Sequence, residues 1–165
     1  MASKDLNLVL SIQKPSQLRK ILRELDNLEN KISTQRIKNE DQVQDLDISP
    51  ALDELIKENE LDIFKDEDFN NLKNFLVSLQ DNALVLHFTF NQPASDSTLN
   101  KLVKWIRENI DPKTLITTGL NNSIGVGFIL RTTNKYYDFS IGHVLRDKRE
   151  LLVKKISEVN QNATN

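Results

Sequence analysis

Gly125-Val126-Gly127-Phe128-Ile129-Leu130-Arg131, then Thr132-Thr133-Asn134-Lys135, then Tyr136-Tyr137-Asp138-Phe139-Ser140: two apolar runs around a short polar one decide how the second half of this chain folds. Gly125 to Arg131 reads as a strand, Thr133 to Tyr136 as a tight turn in which Asn134 tolerates positive φ, and Tyr136 to Phe139 as the returning strand. On such a hairpin Arg131 and Asp138 either pair across the strands or are both solvated. The glycines do not form a phosphate-binding loop, because no lysine-serine pair follows and the next residues are strand-like rather than helical. They suit a bulge or a close backbone approach instead. Ser140 offers a hydroxyl to cap a closing helix, whose apolar face is Ile141, Val144, Leu145, Leu151, Leu152, Ile156 and Val159.

Upstream, Leu84, Leu86, Phe88 and Phe90 alternate with Val85, His87 and Thr89, which predicts a strand. Pro93 ends it. Ser95 or Asp96 caps a helix carrying Leu99, Leu102, Val103, Ile106 and Ile110 on one side, with Trp105 at the margin of that stripe. Asp111-Pro112 stops the helix, since proline cannot continue the hydrogen-bond ladder and pushes its predecessor out of the helical region. Leu115 to Leu120 is a further strand. Residues 83–165 therefore read as strand, helix, strand, hairpin, helix, a small α+β domain.

Residues 1–82 read differently, as a mostly helical, acidic region. Leu6, Leu8, Leu10 and Ile12 recur with a period of two and predict one strand. Pro15-Ser16 opens a helix, with Ser16 as its expected cap, in which Leu18, Ile21, Leu25, Leu28 and Ile32 form an apolar seam, either packed within the domain or docked on a partner helix. Residues 33–48 are polar and form a helix tail and loop. Ser49-Pro50 is a sharper start signal, a capping serine followed by proline at the first helical position, for a helix reaching about Asn59. A third helix begins at Asp66, with Phe69, Leu72, Phe75, Leu76 and Leu79 on its buried face. The acidic clusters Asp53-Glu54 and Asp66-Glu67-Asp68 suggest either metal binding or solvated helix starts, and the second is expected because no loop of calcium-binding spacing surrounds them and carboxylates favour the positive end of the helix dipole.

The 165 residues suffice for one ordinary domain or two small ones, and Leu, Ile, Val and Phe supply 54 of them, enough for a sizeable core. The longest apolar run is the four residues Ala83 to Leu86, far short of a membrane span. The first twenty residues lack the pattern of a secretory signal, and there is no cysteine, so a cytoplasmic protein without disulfides is expected. The net charge of −2 conceals an asymmetry: residues 1–82 carry 17 acidic and 11 basic side chains, residues 83–165 carry 7 and 11. The two halves can attract each other or serve different partners.

Catalytic chemistry has few candidates. His87 and His143 lack the orienting third group that a general base requires, and neither lies in a metal-ligand spacing. Arg146, Lys148, Arg149, Lys154 and Lys155 are basic, yet no aromatic platform is interleaved with them and the total charge is negative, which argues against nucleic acid. Trp105 and Tyr136-Tyr137 are either partly buried within this domain or placed for protein contact, because large amphipathic rings anchor partners well.

The run Gly127-Phe128-Ile129-Leu130-Arg131, followed by Tyr137-Asp138-Phe139-Ser140-Ile141 and Leu145, resembles the carboxy-terminal domain of the delta subunit of bacterial rotary ATP synthase, whose mitochondrial counterpart is the oligomycin-sensitivity-conferring protein. That family has a glycine-hydrophobic-basic strand, a short hairpin to an aspartate, a serine two places on, and a closing amphipathic helix. Gly127, Phe128, Arg131, Asp138, Ser140 and Leu145 carry the pattern here, and the resemblance covers roughly residues 83–158. Two departures stand out. Val126 separates glycines that are often adjacent in the family, and residues 1–82 do not look like its larger all-helical bundle, which grips the catalytic head.

The resemblance implies a non-catalytic peripheral-stalk, or stator, component. It would lie on the inner face of the cell membrane through its complex, without inserting into the bilayer, and would need no cofactor, metal or small-molecule substrate. Its partners would be the b-subunit helices and the alpha subunit. Candidate contacts are Trp105, Leu145, Leu152 and Ile156, with Leu18 and Leu25 of the first seam as a second surface, all docking helix on helix. An adaptor or regulatory module unrelated to ATP synthase stays open, and a small enzyme using His87 or His143 ranks below both.

Overall fold

The computed structural model describes residues 6–38, 48–149 and 153–154; the fold is α+β, and among the described residues there are five α-helices and a four-stranded mixed sheet. The chain forms two compact units. Residues 1–85 and 96–116 make the first, residues 86–95 and 117–165 the second.

The first unit contains α1 (Pro15–Lys38), α2 (Pro50–Glu58), α3 (Asp66–Asn82) and α4 (Asp96–Asn109). Helix α3 ends where the acidic region was expected to end, but α4, read from sequence with residues 83–165, groups with the amino-terminal residues. The seam of α1 is core: Leu18, Ile21, Leu25 and Leu28 are buried with Leu52 and Leu55 of α2 and with Phe69, Leu72, Leu76 and Leu79 of α3. Each fully buried leucine removes enough apolar surface from water to contribute about 1.5–3 kcal/mol. Lys73 of α3 reaches Glu29 at 2.6 Å and Asp26 at 2.9 Å on α1, and the hydrogen bonds to Glu29 and Asp26 raise its pKa. Ser49 caps α2 as its sequence predicts. Its hydroxyl accepts from the Leu52 N–H at 3.4 Å and donates to Glu24 Oε2 at 2.7 Å, fixing α2 against α1. Ser16, expected as the cap of α1, lies inside the helix instead. Gln17 provides the capping contact from the other direction, its Oε1 accepting from the amides of Gln13 and Lys14, each at 2.9 Å.

The amino-terminal strand expected at Leu6–Ile12 is not formed. Its buried residues are Leu6, Val9 and Ile12, a spacing of three, and Leu10 is exposed. Side chains take the backbone bonds that a neighbouring strand would have supplied. The buried Asn59 amide accepts from Asn7 N–H at 2.7 Å and donates to Asn7 C=O at 3.0 Å. Arg107 on α4 donates to the carbonyls of Leu8 (3.1 Å), Val9 (2.8 Å) and Ile12 (2.6 Å), and to that of Thr114 (3.2 Å). Burial lowers the pKa of this guanidinium to about 10, so it remains charged at neutral pH.

Four strands, β1 (Val85–Phe90), β2 (Leu115–Leu120), β3 (Phe128–Arg131) and β4 (Tyr136–Asp138), form one sheet in the order β2-β1-β3-β4. Bonds from Leu115 N to Leu84 O and from Asn121 N to Phe90 O advance β1 and β2 in step, so they run parallel, as strands joined through a helix can. The other two pairs are antiparallel. A 3-10 turn, Asn122–Ile124, leads into β3, and α5 (Ile141–Asp147) follows β4.

Candidate docking surface

Register sorts the side chains of the sheet into two faces, because directly opposed residues project to the same side. Phe88 lies opposite Leu130 and Leu130 opposite Tyr137, while Phe90 lies opposite Phe128. This face is aromatic: the Phe128 ring is 5.7 Å from that of Phe88, 6.2 Å from Phe90 and 5.1 Å from Phe139, and Tyr137 stacks on Phe139 at 6.2 Å. Exposure rises across it. Phe88 is buried, Phe90 and Phe128 are half-buried, and Tyr137 and Phe139 are exposed. The other face carries His87, Arg131 and Tyr136 in one row and Thr89, Ile129 and Asp138 in the next.

Arg131 and Asp138 do not pair across the hairpin. They sit two residues out of register, since Arg131 opposes Tyr136 and Asp138 opposes Ile129. Thr133 and Asn134 form the two-residue tip, with Thr132 N–H donating to Lys135 C=O at 2.8 Å, and the turn is made without a positive φ at Asn134. Asp138 works at the opposite end of β4. Its Oδ1 accepts from Ser140 N–H at 2.9 Å and its Oδ2 lies 3.8 Å from Arg146 on α5. The Ser140 hydroxyl, the Ser140 backbone amide and then the charges of His143 and Arg146 hold the Asp138 carboxyl below its ordinary pKa of 3.8.

Ser140 is the cap of α5 that its position predicts, its hydroxyl accepting from His143 N–H at 3.3 Å. Gly127 permits the close approach. With φ of 110°, it lies where a Cβ would meet the Phe139 carbonyl oxygen and stand 2.9 Å from Ser140 Cα. Phe139 N–H donates to Phe128 C=O and Ile141 N–H to Val126 C=O, both at 2.9 Å, so the backbone is bonded on both sides of Ser140.

The result is a cap-and-hairpin unit with apolar side chains facing water. Ile141, Val144 and Leu145 on α5 are exposed, Leu145 by 50%, as are Val126, Tyr136 and Phe139 nearby. The exposed stripe on α5 has the three-four spacing read from sequence, but the sequence does not reveal that Val126 and Phe139 extend it. Their signal was their adjacency to the glycine turn and the serine cap. Among the family-pattern residues, Gly127, Phe128, Asp138 and Ser140 come together at this junction, Leu145 lies on α5, and Arg131 is exposed on the polar face of the sheet.

The remaining candidates lie elsewhere. Leu152 and Ile156 fall outside the described residues. Trp105 is 57% exposed on α4, in the first unit. Leu18 and Leu25 are 1% and 0% exposed, so the α1 seam offers no docking surface. His87 Nδ1 is 2.8 Å from Thr117 Oγ1, with Gly119 against its Nε2, and His143 lies in the first turn of α5. Asp53 pairs with Lys57 at 2.6 Å and Asp68 accepts from Asp62 N–H at 3.1 Å; no group of three His, Asp or Glu side chains converges among the described residues. A hollow of about 360 Å³ in the first unit is lined by Leu10, Ser11, Lys14, Gln17, Asp96 and Asn100 among others, and the buried Ser11 hydroxyl makes no hydrogen bond among the described residues. Among the described residues no helix is long and apolar enough to cross a membrane. No protein-family model matches the chain, and no curated protein sequence matches it.

Proposed function

We propose that this chain is a non-catalytic peripheral-stalk component of a rotary proton-translocating ATP synthase, tying the catalytic head to the b-subunit helices. The observation that carries the reading is the junction of hairpin and closing helix: Gly127 against Phe139, then Asp138 and Ser140 setting the first turn of α5. These residues lie in the order and spacing that the delta-subunit resemblance requires, within the sequence β1, α4, β2, β3, β4, α5. A stator link must resist torque without doing chemistry, so it needs a stiffly anchored helix that presents apolar surface to another polypeptide. Capping, two flanking backbone bonds and the Asp138 contact to Arg146 anchor α5, while Ile141, Val144 and Leu145 remain exposed.

Affinity capture of the tagged full chain from native membranes tests the proposal, and b and alpha subunits are the expected prey. The first unit favours a second reading, an adaptor of another complex, because residues 1–82 do not look like the larger all-helical bundle that grips the catalytic head in the delta family. Capture of stable partners that include neither b nor alpha would establish that reading in place of the first.

A further inference from the structure

We propose that the surface of β4 and α5 takes an amphipathic helix whose apolar stripe is bordered by carboxylates. The inference rests on the docking reading and adds the chemistry of the partner.

Shape selects a helix. Strand β4 has three residues, so its open edge offers too few ladder bonds to hold an added strand. The exposed apolar groups instead lie along α5, where Ile141, Val144 and Leu145 repeat at three and four, the spacing by which one helix receives another. Tyr137 and Phe139, stacked at 6.2 Å, add a rigid apolar platform on the adjoining sheet face.

Charge selects the flanks. Residues 117–165 carry seven Lys and Arg against four Asp and Glu, and residues 86–95 carry none of either, so the second unit has a net charge of +3. Arg146, Lys148 and Arg149 are exposed on and just after α5, Lys135 is exposed at the hairpin turn, and Arg131 is exposed on the other face of the sheet. Asp138, the one carboxylate with a described side chain in this unit, is already engaged by Ser140 and Arg146. A cationic border repels a basic partner and steers an acidic one, which sets specificity and association rate more than total affinity. The aromatic face is not open to stacked bases along its length, because Phe88 is buried and Phe90 and Phe128 are half-buried.

Three labelled probes titrated against the full-length protein test the proposal by fluorescence anisotropy. They are a synthetic helix with Leu at three-four spacing flanked by Glu, the same helix flanked by Lys, and a single-stranded RNA oligonucleotide. The Glu-flanked helix is expected to bind at least about tenfold more tightly than the Lys-flanked one at low ionic strength, with the gap closing as salt screens the flanks. Leu145→Asp and Ile141→Asp, both at exposed positions, are expected to abolish binding with the thermal midpoint unchanged. If either variant fails to fold, the triple charge reversal Lys135→Glu, Lys148→Glu, Arg149→Glu carries the test, and its expected result is a reversed preference between the two helices. Equal binding of the two helices, or tighter binding of the oligonucleotide, overturns the inference. A clear preference for the Glu-flanked helix, with no ATP synthase subunit recovered from membranes, removes the stator reading alone. Recovery of those subunits without any preference removes this inference alone.

Discussion

Arg107 Nη2 donates to the carbonyl oxygen of Ile12 at 2.6 Å, across 95 positions of sequence. With its bonds to Leu8, Val9 and Thr114, one guanidinium fork satisfies four carbonyls from two segments that share no sheet. Lysine cannot reproduce this, because an ammonium is a compact charge without the planar spread of donors. Arg107→Lys is expected to destabilise the fold by about 1–3 kcal/mol, and Arg107→Met by at least as much, since unpaired carbonyls keep their desolvation cost. Urea unfolding midpoints measure both. An Arg107→Met protein as stable as the wild type would mean that the carbonyls find other partners.

Gly127→Ala tests the junction between hairpin and helix. The added methyl meets backbone on the Phe139–Ser140 side, which has no flexible end to move, and φ of 110° is strained for any residue with a Cβ. A loss of at least about 2 kcal/mol is expected from strain alone. Gly125→Ala supplies the comparison. Its φ is 70° with open space around the site, so only the conformational cost remains and the loss should be smaller. Equal losses at both glycines would remove the close-approach argument.

Asp138 predicts a pH dependence with a definite sign. Its folded-state pKa is lowered, chiefly by the Ser140 hydroxyl and amide, so ionised Asp138 stabilises the fold above the ordinary value of 3.8. That contribution is lost as pH falls through the folded-state pKa. Asp138→Asn should therefore melt below the wild type at neutral pH, and the two thermal midpoints should converge in acid. A constant gap between the two curves across this range would assign the effect to shape rather than to charge.

Local signals in the sequence were readable where local geometry decides the outcome. Ser49-Pro50 and Ser140 marked helix starts because a hydroxyl and a fixed φ suit the first turn whatever else the chain does. The segment Leu6–Ile12 could not be read this way. Its alternation suits a strand, but its structure is set by Arg107 and Asn59, which lie about a hundred and about fifty positions away. The Asp138 partner was obscured for a related reason: pairing Arg131 with Asp138 assumes a register, and the two-residue tip at Thr133-Asn134 places Ile129 opposite Asp138. Exposure was the third quantity hidden from pattern. The α1 and α5 stripes have the same spacing, yet only contacts made elsewhere in the chain bury one and leave the other open.

That difference gives a direct comparison between two leucines. Leu25 is 0% exposed within the α1 core and Leu145 is 50% exposed on α5. Leu25→Ala removes buried methyl groups and leaves a cavity, for an expected loss of about 2–5 kcal/mol. Leu145→Ala removes groups already in contact with water and is expected to stay within about 0.5 kcal/mol of the wild type. Differential scanning calorimetry of both variants decides the matter. If Leu145→Ala costs as much as Leu25→Ala, then α5 is packed against the protein's own surface in solution, and its apolar stripe is core rather than a place for a partner to dock.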